Sequence, residues 1–277
     1  MITPQQIQKY QTDGFIVVSG IFTTPELDEL EQELDAIIAR RLAGKVHLDA
    51  TWSGDWKNTL PKTEILHTHA VQLYSAAWAR TLTHNRLTTT LAAVTGPNVQ
   101  LHHTKAFIKP PEKGSAFPMH QDYPYFPHTK HTMAAAIIHL TDATPEMGCF
   151  CVYPGTHKLG PLPTVHERAH YLDPAQYPIA KATPLPAQRG DVVIFNYLLV
   201  HGSDINHSTR PRKTVLIQFR DPTDLPIKNI HPSHAQGLML HGINPLTNED
   251  NLSAAPTAPE KHNSCRQEPI VKRLQQC

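Results

Sequence analysis

The chain changes its pattern once, at Gly96-Pro97, and that change limits the folds open to it. Upstream, apolar residues recur at helical spacing. Thr3-Pro4-Gln5-Gln6 pairs an N-cap with a first-turn proline and a capping-box glutamine, and Gly14 stops the helix ahead of a strand at Phe15–Val18. Thr24-Pro25-Glu26 opens a longer helix in which Leu27, Leu30, Leu34 and Ile37 share one face up to Gly44, and two more helices are expected near 70–83 and 85–95. Downstream, from Asn98 to about Arg220, strand patterns alternate with proline and glycine clusters, as in a jelly-roll barrel. The expectation is one domain over 1–243, helical over 1–97 and a barrel over 98–225. A tail over 244–277, rich in Pro, Asn, Ser and Gln, is expected to be loosely ordered. Residues 45–68, with Trp52 and Trp56, show no periodicity and read as a long loop. It is either a lid over a site or a plain surface loop.

Composition excludes several function classes. A hydrophobic content of 40% is enough for a core, and a net charge of +1 without a basic block gives no reason to expect nucleic acid or an anionic membrane as a partner. No apolar run approaches the roughly 20 residues of a bilayer span. The first residues lack the charged and apolar regions of a secretion signal. Four cysteines are too few for a disulfide scaffold in 277 residues, so Cys149 and Cys151 are expected as buried thiols, in a cytoplasmic protein.

The chemistry is carried by His120, Asp122, His201 and Arg212. Met119-His120-Gln121-Asp122-Tyr123 reads as the start of a strand, and side chains two apart on a strand share a face. His120 and Asp122 can therefore hold one metal ion, and His201 would complete a 2-His-1-carboxylate triad with open positions on Fe(II) for a chelating cosubstrate and O₂. In a chain with 19 histidines roughly one His-x-Asp arises by chance. His47-Leu48-Asp49 is a second match, set aside because no strand pattern surrounds it. Arg212 opens the strand Arg212–Arg220, where Arg212, Thr214, Leu216 and Gln218 share one face. An arginine facing a barrel interior needs an anionic partner, and a cosubstrate carboxylate supplies one; the alternative is an outward arginine at a strand end. His103, Lys105 and Phe107 likewise share a face, leaving Lys105 as a second anion contact or a solvated lysine. Tyr123, Tyr125 and Phe126 are placed to line the mouth of the site or to pack in the core.

Ordered text over roughly residues 5–225 resembles the phytanoyl-CoA dioxygenase family. It comprises Lys105-Ala-Phe-Ile-Lys109-Pro110-Pro111, His120-Gln121-Asp122-Tyr-Pro-Tyr-Phe-Pro127, Thr141-Asp142-Ala143-Thr144, Gly148-Cys149 and Tyr153-Pro154-Gly155-Thr156-His157-Lys158. Gly190-Asp191-Val192-Val193 and His201-Gly-Ser203-Asp-Ile-Asn206-His-Ser208-Thr-Arg-Pro-Arg212 complete it. The resemblance implies a double-stranded β-helix (a jelly-roll, cupin-like barrel) with N-terminal helices, mainly β. It also implies an Fe(II)- and 2-oxoglutarate-dependent dioxygenase that hydroxylates a small molecule, releasing succinate and CO₂. By the same resemblance His120, Asp122 and His201 are the iron ligands, Ser203 and Arg212 bind the distal 2-oxoglutarate carboxylate, and Lys105 is a cosubstrate or substrate contact. Some family members have a tryptophan where this chain has Ala136-Ile137-Ile138, so the pocket's shape differs there. Two other readings stay open: a metal- or ligand-binding jelly roll without oxygenase activity, and an oxygenase whose outcome is desaturation, cyclisation or epimerisation.

Overall fold

The computed structural model describes residues 2–44, 66–111, 116–165, 170–228 and 231–246, all within one compact unit, Met1–Thr247. The Trp52–Trp56 loop, His47 with Asp49, and all but the first residues of the expected C-terminal tail lie outside the described residues.

Helix α1 (Pro4–Asp13) carries the expected capping box, with Gly14 closing it in the left-handed region at φ 86°, and strand β1 (Phe15–Val18) follows. Helix α2 (Thr24–Ala43) has a second capping box, formed by Thr23 and Glu26. Next come β2 (Leu66–His69), a 3₁₀ turn at Val71–Leu73, α3 (Ala76–Thr81) and α4 (Asn85–Thr95). Two expectations are corrected here. The end of the supposed 45–68 loop is a strand, because β2 completes its hydrogen bonds on β3 (Val99–Lys109). The helix expected near 70–83 is a 3₁₀ turn followed by a short helix restarted at Ser75, whose hydroxyl accepts from the Trp78 amide.

The barrel strands are β3, β4 (Phe117–His120), β5 (Ala134–His139), β6 (Phe150–Tyr153), β7 (Thr183–Leu185), β8 (Val192–Asn196), β9 (Val200–Ser203) and β10 (Arg212–Arg220). A short strand β11 (Met239–His241), beyond the expected barrel, pairs with β3. The pairings form a seven-stranded sheet, β1-β8-β5-β10-β3-β11 with β2 also on β3, and a four-stranded sheet, β4-β9-β6-β7. All pairs are antiparallel. This is a mainly β jelly roll with flanking helices. Pro184 sits on β7, an edge strand, where its missing N–H costs no ladder bond.

Alternation along β10 divides the molecule. Val215, Ile217 and Phe219 join the large core that also holds Leu27, Leu30, Leu34 and Ile37 of α2 and Leu87 and Leu91 of α4. The helices therefore cover the outer face of the seven-stranded sheet. Arg212, Thr214, Leu216 and Gln218 point the other way, into a cavity between the sheets. Phe150 and Val152 of β6 meet Val193 and Phe195 of β8 in a second apolar cluster.

Candidate active site

His120 ends β4 and His201 lies on β9, and the two are direct partners across the antiparallel pair. Their ring centroids are 4.2 Å apart. Each ring uses Nδ1–H in the same way: His120 donates to the Pro118 carbonyl at 2.8 Å and His201 to the Leu199 carbonyl at 2.9 Å. That bond fixes the tautomer and leaves Nε2 as the lone-pair atom of each ring. Both Nε2 atoms lie 3.6 Å from Oδ1 of Asp122. The three potential ligand atoms all fall within 4.8 Å of one another.

Asp122 reaches this point differently from the sequence expectation. It is not on the strand with His120, which ends at that residue. It has helical backbone angles (φ −75°, ψ −20°) and begins the 3₁₀ turn Tyr123–Tyr125, with Pro124 inside the turn. The turn is held because the Asp122 amide donates to the Tyr197 carbonyl at 2.9 Å. The intervening Gln121 side chain donates to the Leu198 and Gly160 carbonyls and accepts from the Leu162 amide. Gly202, between His201 and Ser203, permits the close approach of β4. A Cβ there would lie 2.7 Å from both the Phe117 carbonyl oxygen and Met119 Sδ.

Burial, then the neighbouring His120, push the His201 imidazole down to about 4, with Asp122 opposing in part. Burial raises the Asp122 carboxyl, but His201 and His120 outweigh it and the net is below the usual range. A neutral imidazole beside an ionised carboxylate is the donor state a divalent metal requires.

The triad opens into a cavity of ≈ 390 Å³ whose lining also includes Arg212, Ser203, Thr214, Ile137 and Lys105. Arg212 is buried, one NH donates to the Gly148 carbonyl, and its Nε has no hydrogen-bond partner among the described residues. Burial holds its guanidinium down to about 10. Directly opposite Arg212 in the β3–β10 register stands Lys109, fully buried, whose ammonium donates to Ser203 Oγ at 2.7 Å and to the Asp204 carbonyl. Burial and then Arg212 push the Lys109 amine well below its ordinary value, with Asp204 opposing. Asn206 secures this end, donating to the carbonyls of Lys109, Pro110 and Arg210 while accepting from Ser208.

Lys105 lies elsewhere. It pairs in register with Leu216 and His69, faces the cavity, and has no carboxylate within ion-pair distance among the described residues. Burial pushes it down to about 8, with Asp122 pulling the other way. Tyr125 and Phe126 line the cavity, but Tyr123 packs instead against Tyr197 and His131. Cys149 and Cys151 are buried free thiols. Sequence reasoning passed over Lys109, although it lies on the same period-2 face as His103, Lys105 and Phe107. The donor set suits a divalent transition metal, and the unpartnered Arg212 Nε beside a second buried cation suits a carboxylate ligand, so these residues fit Fe(II) and 2-oxoglutarate.

Known proteins agree with this architecture. The family model for phytanoyl-CoA dioxygenase (PhyH) matches residues 10–214. The peroxisomal phytanoyl-CoA dioxygenase of Bos taurus is 27% identical over 237 residues, covering 80% of this chain and 69% of that one. A methylphosphonate hydroxylase of Gimesia maris is 23% identical, covering 79% of this chain and 80% of that one. Among solved structures, the non-haem α-ketoglutarate-dependent carbocyclase SnoK from nogalamycin biosynthesis superposes with a TM-score of 0.69 at 16% identity, over 86% of this chain and 93% of that one. Among the described residues no helix is long and apolar enough to cross a membrane.

Proposed function

The chain belongs to the phytanoyl-CoA dioxygenase family of Fe(II)- and 2-oxoglutarate-dependent oxygenases, and from that premise we propose that it hydroxylates a C–H bond of a small, anionic molecule. The observation that carries the reading is the convergence of His120, Asp122 and His201 within 4.8 Å at the wall of a cavity whose other side holds a buried guanidinium without an anionic partner among the described residues. His120, Asp122 and His201 hold the iron. Arg212, Ser203 and Lys109 take the distal carboxylate of 2-oxoglutarate. Bound iron with 2-oxoglutarate and O₂ supplies the oxidising power: the cosubstrate leaves as succinate and CO₂, and one oxygen atom enters the substrate C–H bond.

The protein's own part is orientation and exclusion of water. Arg212 offers a planar two-pronged contact, and Ser203, held by Lys109, donates its hydroxyl to the same carboxylate. Three protein ligands, two of them imidazoles and one a carboxylate, leave room on the metal for a chelating cosubstrate and for O₂. Because Asp122 keeps its carboxylate, the position is not free for a halide ion, which favours hydroxylation over halogenation. Lys105, which faces the cavity and has no carboxylate partner among the described residues, would hold a substrate anion, while Tyr125, Phe126 and Leu216 offer apolar contact to the rest of it. A relative named for hydroxylating methylphosphonate, a small anion, supports this class. The test is anaerobic addition of Fe(II) and 2-oxoglutarate, read by the weak visible charge-transfer band of the chelate. A screen of small carboxylates, phosphonates, amines and acyl thioesters for substrate-stimulated succinate release follows. No band, or stimulation by neutral and cationic compounds alone, would overturn the metal or the substrate half of the reading respectively.

A further inference from the structure

A second group of metal-type donors stands apart from the triad. His102 and His103 on β3 and His231, on the segment leading to β11, place one ring nitrogen each within 4.8 Å of the other two. Consecutive residues on a regular strand point to opposite faces, so His102 and His103 should not meet. They do because β3 is bulged at this point: His103 pairs with Gln218 and Leu101 with Phe219, leaving His102 with no partner on β10. The extra residue turns both rings to the same side, with Nδ1 of one 2.8 Å from Nδ1 of the other. At that distance one ring must donate to the other, or both lone pairs must share a third, electron-poor partner.

The ring centroids of His103 and His231 are 5.0 Å apart and those of His102 and His231 6.0 Å. Nδ1 of His231 is engaged by Ser233 at 3.2 Å, which leaves its Nε2 as the ligating atom. His102 and His103 are buried and His231 is half-buried. Among the described residues no carboxylate lies within ion-pair distance of any of the three, so the cluster is not a set of imidazolium–carboxylate pairs. Burial, followed by repulsion from neighbouring histidines, lowers His102 and His103 well below their ordinary range, so both rings are neutral imidazoles at neutral pH. His103 and His231 also line the cavity that holds the triad, so an ion held here keeps its remaining positions on the cavity side.

We propose that His102, His103 and His231 form a second metal site, a three-imidazole site for a divalent transition ion of the zinc type. Three neutral imidazoles with one position open are a donor set that Zn(II) binds in tetrahedral geometry, and imidazole suits Zn(II), Cu(II) and Ni(II) better than it suits hard cations. The site is independent of the triad, since it shares no residue with it.

The test is metal stoichiometry on chelator-treated full chain, titrated with Zn(II) and counted after gel filtration, with circular dichroism as the check on folding. Two tight equivalents are expected in the unaltered chain. His231→Gln, on a segment outside the barrel ladders, should lose one equivalent and keep the other, and His102→Ala should do the same. Asp122→Ala with His201→Ala should lose the other equivalent and keep this one. Substituting Co(II) gives a second readout, because a four-coordinate three-imidazole site absorbs visibly and more strongly than a five- or six-coordinate one. That strong band should vanish in His231→Gln and survive in the triad variant. A single tight equivalent in the unaltered chain overturns the proposal. So does a second equivalent that persists in both His231→Gln and His102→Ala, which would mark adventitious binding by other histidines.

Discussion

Lys109 and Arg212 face each other across β3 and β10, two buried cations in direct register. Like charges placed opposite one another in a ladder repel, and burial removes the water that would screen them. On the proposed reading, a dianionic cosubstrate relieves both costs at once.

Arg212→Ala should leave iron binding intact and weaken 2-oxoglutarate binding. Losing one partner of a buried ion pair costs about 3–5 kcal/mol, which corresponds to roughly 10²-fold to several thousand-fold in apparent affinity. Steady-state KM for 2-oxoglutarate measures this. An unchanged cosubstrate KM with a raised substrate KM would place Arg212 at the wrong end of the cavity.

Lys109→Met should separate stability from affinity. Removing a buried, crowded ammonium should hold or raise the Tm of the protein without cosubstrate, while the Tm increase on adding 2-oxoglutarate shrinks.

His120→Ala, Asp122→Ala and His201→Ala should each abolish turnover with the fold retained, because each removes a donor from a three-ligand site and little core volume. Near-normal succinate formation in any one of them would place the iron elsewhere.

Gly202→Ala tests the strand approach. The added methyl meets the Phe117 carbonyl and Met119 Sδ at 2.7 Å, an overpacking that costs about 1–3 kcal/mol. A lower Tm and weaker iron binding should appear together, since β4 carries His120. Full iron affinity at reduced Tm would mean that β4 relaxes without moving its ligand.

For an anionic substrate, kcat/KM should fall as pH rises through about 8, where Lys105 loses its proton. The charged form dominates below that value, so binding is strong there and lost above it. Lys105→Met should be weak at every pH and lack this limb.

Local pattern carried the sequence reading furthest where the signal is local. The alternation over Arg212–Arg220 put Arg212, Thr214, Leu216 and Gln218 on one face, and the structure turns that face to the cavity and the other to the core, because period 2 is a property of the strand alone. The capping box at Thr3 is local in the same sense. What escaped depends on distant partners. Asp122 leaves the strand because Tyr197 and Leu198, far along the chain, bond to its amide and to Gln121. The bulge at His102 exists only relative to β10, and β2 and β11 are strands only because β3 offers them an edge.

The two imidazoles of the triad hang from β4 and β9 of the four-stranded sheet, whereas Lys109 and Arg212 hang from β3 and β10 of the seven-stranded one. On the proposed reading, the gap between the metal and the guanidinium is therefore set by how far apart the sheets pack, with Phe150 and Val152 against Val193 and Phe195 as the spacers. The barrel acts as a caliper on the cosubstrate's carbon chain. A 2-oxo diacid one methylene longer must buckle or push the sheets apart, and a close-packed interior resists being spread. Discrimination between cosubstrates of different length thus resides in the apolar spacers, and trimming Val152 or Val193 should loosen it without touching a single polar contact.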